Sequence, residues 1–547
     1  MIDYIIIGAG ISGLNLADKI LNKNPKLHIE LFDSAMRVGG RVHTIMDKDE
    51  TYEAGAARYN EGHQKLHKLI KRFNLSKNHI EISSGWSVLG NKNSSKIKFS
   101  DIHQLIEHLI KESKNLSHDE LNKLTLEKLC LKVLDKDHVK FLMENHPYNG
   151  EITKLNCSQA IKMFSNDLSE RNKFFVLGGG LSQITDNLSK EIKKNGGKIN
   201  LNQRLIRVKY HDKIFTCLFD SGESHQTKNI VLALDGESMI NLVKNKKIEP
   251  LNKMTSEFNS IIPSSLLRTY CRYPDGWFEN FGKVVTGSPI KFIIPINPNT
   301  GLIMSSYTDG DNTDYWVKYI GDDEKQIKEL HKQTIPLVKE FNKDNKPISL
   351  PLSKPLWVRN YLWSSGVSFW KPDYDIEKLY KKIMKPLKIP LFICGDSYSL
   401  RQGWMEGALE TSDLVFDKIS KNISGNLRKR KKTRKDKLTH RGGRKPSKKR
   451  KRVVRKKSSS KKTGPKKTGE KEYTMEEVKK HDKPNDAWLV IDGNVYDVTK
   501  FIPHHPGLGA IFNGIGKDAT EIFHKNPYHK KSSHDKLKTL YIGKLKK

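Results

Sequence analysis

The chain has 547 residues, a formal net charge of +36 at pH 7 and a sequence pI near 9.7. That length predicts two or more domains with material for a large core, and no run of about eighteen apolar residues is present to cross a membrane. Five scattered cysteines (Cys130, Cys157, Cys217, Cys271, Cys394) form no Cys-x-x-Cys pair, which argues against a disulfide framework or a thiolate metal site and for a reducing compartment.

Tyr4-Ile5-Ile6-Ile7 is a short apolar run closed by glycine, and it predicts one buried strand. Leu14, Ala17, Ile20 and Leu21 then recur at helical spacing, and Ile29 to Phe32 predict a second strand that ends at Asp33. Between strand and helix, Gly8 allows a tight turn, Gly10 lets the backbone approach a pyrophosphate, and Gly13 lets the helix pack on the strand. Phosphates would sit on the unpaired N–H groups at the helix start. Asp33, twenty residues after Gly13, is placed to accept hydrogen bonds from ribose hydroxyls. The N-terminal apolar run lacks a basic start and is soon broken by glycine, so no secretory signal is expected there.

Arg37-Val38-Gly39-Gly40-Arg41-Val42 resembles the segment that flavin amine oxidases carry after the ribose-binding acid. The resemblance implies FAD, with Gly40 and Arg41 at the cofactor. Paired glycines permit close approach, and arginines neutralise pyrophosphate or hold a carboxylate in a fork. Ala54-Gly55-Ala56-Ala57-Arg58, followed by His63, looks like a segment of L-amino-acid oxidases whose arginine binds the substrate carboxylate. That role is therefore expected of Arg58, with Gly55 and Ala56 beside the isoalloxazine ring. A guanidinium suits a carboxylate, although flavin phosphate or a structural acid would satisfy Arg58 equally.

Residues 101–162 alternate helical apolar patterns with polar breaks and carry no readable motif; the resemblance implies a helical part of a substrate domain. A helix is expected after Gly178-Gly179-Gly180, then a strand at Arg204 to Val208, where the family places backbone at the adenine and Leu205 or its neighbour takes that position. Ile230 to Leu234 predicts a buried parallel strand, with Asp235 where the family usually has proline. On the strand around Leu266 to Tyr270, Arg268 stands where many of these oxidases place a lysine that assists reaction with oxygen, which implies slow oxidase chemistry. Gly395 and Asp396, after Leu391 to Ile393, are expected at the flavin phosphate and ribityl chain. Trp404 then forms one wall of an aromatic slot and Met405 opens a helix over the pyrimidine end of the ring, where helix N–H groups stabilise negative charge. Monoamine oxidases attach flavin through a cysteine in the segment matching Ser365 to Trp370; none is present, so the flavin is expected to be non-covalent.

Arg428 to Lys467 holds 23 lysines and arginines against one acid, Asp436, a net +22 of the chain's charge. With almost no apolar residue it predicts a disordered tether suited to nucleic acid or another polyanion, and Lys448 to Arg452 looks like a nuclear localisation signal. A solvated linker is the plainer reading. From Tyr473 to Leu545 the chain resembles cytochrome b5, including His505-Pro506-Gly507. In that family two imidazoles ligate haem iron and leave no open position, so electron transfer follows. The resemblance assigns haem b to His505 and to His529, which lies 24 residues further on and 14 before Gly543. Leu508 departs from the second glycine of the family's signature.

The expected architecture is α/β: a Rossmann-type FAD-binding domain with an interleaved α+β substrate domain in 1–420, a disordered basic linker in 421–470, and a small α+β cytochrome b5-like haem domain in 471–547. The expected function is FAD-dependent oxidation of a small-molecule amine or amino acid, with electrons passed to oxygen or to the fused haem, in a soluble intracellular protein, cytoplasmic or nuclear. A flavin desaturase or dehydrogenase of the same superfamily remains open, as does a basic nucleic-acid-associated protein with degenerate enzyme domains.

Overall fold

The computed structural model describes every residue except 48–49, 91–96, 170, 422–470, 484–485, 500, 503–510, 512–513, 526–530 and 547. The basic tether and both expected haem ligands, His505 and His529, lie outside the described residues. The chain divides into two compact units, the larger holding Met1–Asp417 and Lys500–Asn513 and the smaller holding Lys418–Thr499 and Gly514–Lys547.

The larger unit is built on a seven-stranded sheet. Ile2–Ile7 runs at its centre, parallel to Ser224–Leu232 on one side and to Ile29–Phe32 on the other, with Ile5 facing Ile230 and Glu30 in register. Lys198–Asn200 and Leu391–Ile393 extend the parallel set at its two flanks, and the hairpin Leu205–His211 with Ile214–Phe219 adds an antiparallel edge. Strands covered on both faces are apolar throughout, and Ile5, Ile6, Val231 and Leu232 are accordingly shut off from solvent. The helix Ile11–Lys23 buries Leu14, Ala17, Ile20 and Leu21 completely and packs against Ser182–Lys194. At about 1.5–3 kcal/mol for each large apolar side chain, this face is enough to fix the helix over the sheet.

A second, six-stranded sheet lies between those strands in sequence. Ile261–Arg272 is flanked by Trp357–Trp370 and Leu302–Asp309, both antiparallel, so Arg268 stands level with Tyr307 on one neighbour and Tyr361 on the other. Residues 101–166 form the expected helices, and their starts are fixed locally: Asp101, Thr125, Asp135 and Asn156 each cap a first turn, and Ser117 with Glu120 forms a capping box. Alternation of the two sheets along the chain is the interleaving expected from sequence.

The smaller unit contains a five-stranded sheet in the order Glu472–Tyr473, Tyr541–Leu545, Asn494–Asp497, Asp486–Ile491, Asp482–Lys483. Val478, Val490 and Val495 form its core, with Trp488, Ile542 and Leu545 packed against them.

Candidate active site

The turn after the first strand has the shape that its glycines dictate. Gly8 has φ +108°, and a Cβ there would stand 2.2 Å from the Ala233 carbonyl oxygen. A Cβ on Gly13 would meet the Gly8 carbonyl oxygen at 2.1 Å, so only glycine lets the helix sit this close to the turn. At Gly10 the nearest atom to such a Cβ is the Gly39 oxygen, 4.0 Å away. Gly10 is also the N-cap of Ile11–Lys23 and supplies no side-chain cap to the helix N–H groups. A closed turn behind, an open face at Gly10 and an uncapped helix start fit a dinucleotide pyrophosphate.

Asp33 closes the same turn: its carboxylate accepts from the Ala9 N–H at 2.7 Å and from the Ala35 N–H at 2.8 Å. Burial raises its pKa above the ordinary carboxylate value in spite of these bonds. The chain at Asn200 to Gln203 runs beside it, with the Asp33 N–H donating to the Asn200 oxygen and the Gln203 N–H to the Asp33 oxygen. Leu205, at the start of the next strand and buried, is thereby brought toward the Asp33 end of the turn.

The two arginines of the second glycine segment do different work. Arg37 turns back on its own loop and donates to the carbonyls of Val38, Gly40 and Val42. Arg41 forks onto the Asp396 carboxylate, with one arm at 3.0 Å, and also donates to the Gly366 oxygen. The Ala56 N–H donates to the Arg41 oxygen at 2.9 Å, and a Cβ on Gly55 would lie 1.9 Å from that oxygen. Gly40, Arg41, Gly55, Ala56, Gly395 and Asp396 therefore form one neighbourhood, tied to the helix 405–421 by the Gly395 N–H donating to Thr411 Oγ1. Met405 is buried at that helix start. Asp235, unexplained by sequence, caps Gly236–Lys244 by accepting from the Ser238 N–H and hydroxyl.

Arg268 is buried; it donates to the Glu53 oxygen at 2.8 Å and stacks 4.6 Å from the centre of the Tyr307 ring. Tyr307 meets Tyr148 edge-on at 5.2 Å, and Tyr148 lies within electrostatic reach of Arg268, Arg58 and Glu151. Arg58 lies over Phe174 at 4.9 Å and makes no hydrogen bond or ion pair among the described residues. The structure thus joins Arg58 and Arg268, distant in sequence, through two tyrosines. Trp404 stands apart from this chain of contacts, edge-on to the buried His63 at 4.8 Å.

Glu151, Tyr148 and Tyr307 were not singled out by sequence. Glu151 sits in the single turn Gly150–Thr153, where nothing in the local pattern marks it; only the fold brings it to Arg58.

Comparison with known proteins bears on the same regions. The family of flavin containing amine oxidoreductases matches residues 11–415, and the cytochrome b5-like heme/steroid binding domain matches 474–546. Among solved structures, cyclohexylamine oxidase from Brevibacterium oxydans IH-35A superposes with a TM-score of 0.60 at 16% identity, over 77% of this chain and 99% of that one. A putrescine oxidase redesigned in its cofactor binding gives 0.59 at 14%, over 76% and 98%. At such identities the likeness is one of fold. Among curated proteins, a cytochrome B5-like protein of Arabidopsis thaliana is 40% identical over 75 residues, 14% of this chain and 61% of that protein. An acyl-lipid (8-3)-desaturase of Physcomitrium patens is 45% identical over 75 residues, 14% of this chain and 15% of its own. The chain thus covers less than two thirds of either relative.

Proposed function

The chain belongs to the flavin-containing amine oxidoreductases and carries a cytochrome b5-like domain, and from that premise we propose that it oxidises an amino acid or amine to an imine, which water converts to a carbonyl compound and ammonia. Bound FAD supplies a two-electron acceptor, and haem bound in the terminal domain a one-electron acceptor. The observation that carries the reading is Arg58: a half-buried guanidinium, stacked on Phe174 and without an anion of its own, beside the Gly55 and Ala56 segment. A carboxylate would satisfy both of its arms.

The remaining roles proposed rest on the resemblance, and the geometry described above is compatible with them. Gly8, Gly10, Gly13 and the helix start hold the pyrophosphate, Asp33 the ribose, and Leu205 the adenine end. Asp396, oriented by Arg41, faces the flavin chain together with Gly40 and Gly395. Gly55, Ala56 and Met405 would flank the ring, and Trp404, packed on His63, would form a wall of the substrate slot away from the Arg58–Arg268 contacts. With no cysteine between Ser365 and Trp370, the flavin is held without a covalent bond. Arg268 stands where the resemblance places a lysine that assists reaction with oxygen, and it is committed to the Glu53 carbonyl and the Tyr307 ring; this disfavours rapid reaction with oxygen, and a haem, which His505 and His529 would ligate, would supply the other acceptor. Anaerobic mixing with amino acids and amines, followed by assay for ammonia, tests the reaction.

Among the described residues no helix is long and apolar enough to cross a membrane. Charge alone supports polyanion or nucleic-acid binding by 428–467 and a cytoplasmic or nuclear location. Binding to DNA that weakens steeply with added salt would support it, and salt-independent binding would not.

A further inference from the structure

Two ionisable side chains of the substrate region, Arg58 and Glu151, interact electrostatically and are left unjoined. Arg58 has no hydrogen bond or ion pair among the described residues. Glu151 Oε2 is buried and has no hydrogen-bond partner among the described residues. The two lie within electrostatic reach of one another, yet no contact within bonding distance joins them. None of the ionisable groups around Glu151 supplies it with a bonded counter-charge among the described residues. His146 Nε2 is 3.7 Å from Glu151 Oε2, but burial pushes the ring down to about 3, so it offers no positive charge. Asp309, the acid next to Glu151, is spent on the N–H groups of Asn149 and Gly150, at 3.0 and 2.7 Å. Lys291, near Asp309, donates instead to the Met143 carbonyl.

A buried carboxyl with an empty oxygen and a buried-edge guanidinium with an empty fork are each costly unless something fills them. An α-amino acid carries an ammonium and a carboxylate on one carbon, which is the complement of such a pair. A simple amine fills only one of the two. We propose that Glu151 is a specificity-determining residue that receives the substrate ammonium while Arg58 receives its carboxylate, so that the substrates are α-amino acids and not simple amines. The inference rests on the amine-oxidation reading and narrows it. Tyr148, which interacts with both members of the pair, meets Tyr307 edge-on, and Tyr307 in turn carries Arg268 over its ring.

The test uses the full-length protein loaded with its cofactors, and compares L-amino acids with the amines formed from them by decarboxylation. Anaerobic flavin bleaching gives the half-saturating concentration of each. Loss of one charge-assisted contact is worth about 10- to 100-fold, so each amino acid should saturate at least about tenfold below its own decarboxylated amine. Glu151→Gln should raise half-saturation by a similar factor with the oxidised flavin spectrum unchanged. Calorimetry with the α-methyl analogue of the best amino acid, which has no hydride to give, should show the same weakening without turnover. Equal saturation by amine and amino acid, or wild-type binding of the analogue by Glu151→Gln, overturns the assignment while leaving amine oxidation standing. Bleaching by neither set overturns both. If Glu151→Gln fails to hold flavin, Glu151→Asp replaces it, and retention of the charge at a shorter reach should weaken the analogue without abolishing it.

Discussion

Arg41 and Asp396 lie 355 positions apart and form a two-pronged ion pair, with Asp396 nearly shut off from solvent and Arg41 about a quarter exposed. The pair joins the second glycine segment to the turn after the last sheet strand. Removing one partner strands the other's charge, which in buried settings costs about 3–5 kcal/mol; partial exposure of Arg41 brings the expectation for Arg41→Met to about 2–3 kcal/mol. Urea unfolding with visible absorption of retained flavin checks both parts. Arg41→Met combined with Asp396→Leu should recover part of the stability but not the flavin.

Gly10 and Gly13 should separate fold from cofactor. Gly10→Ala has room for its Cβ, so the unfolding free energy should move by less than about 1 kcal/mol while flavin affinity falls. Gly13→Ala drives a Cβ into the Gly8 carbonyl and should lower both. Thermal unfolding with and without added FAD distinguishes the two patterns.

Proton release should accompany binding of an amino acid. Burial, reinforced by Asp309 and opposed by Arg58, pushes the Glu151 carboxyl up to about 8. At pH 7 the free site therefore holds a proton on Glu151, and an arriving ammonium favours the ionised form. Up to about one proton should leave per ligand bound at pH 7, and affinity should rise with pH until about 8 and then level. The groups facing Glu151 are Arg58, Asp309 and the neutral His146 and Tyr148. Calorimetry of the α-methyl analogue in two buffers of different ionisation enthalpy measures the count, and Glu151→Gln should abolish it.

Arg268→Lys should speed reoxidation of the reduced protein by oxygen, by about tenfold or more, at little cost to substrate affinity. A stopped-flow trace of flavin recovery after mixing with aerated buffer gives the rate. An unchanged rate would remove Arg268 from the control of oxygen reactivity.

The strand, turn and helix at the N-terminus were legible because their signals are local: a glycine pattern, an apolar run, helical spacing. Asp235 carries a local cap signal as well, an acid just before a helix whose third residue is Ser238, in a position where the family's proline could accept no such bond. The split between Arg37 and Arg41 was not legible. Both suit a phosphate or a carboxylate, and the choice depends on Asp396, brought in by sheet pairing hundreds of residues later. Glu151 was hidden for the same reason: His146 and Tyr148 are near it in sequence, but its meaning depends on Arg58, which lies 93 positions earlier and is brought to it only by the fold.

The most direct measurement is the visible absorption spectrum of the full-length protein during anaerobic titration with L-amino acids and their decarboxylated amines, with ammonia assayed at the end. Amino acids should bleach the flavin, a reduced-haem signal should follow, and ammonia should match the substrate consumed. Bound flavin and haem with no bleaching by any member of the panel, or bleaching without ammonia, would contradict amine oxidation.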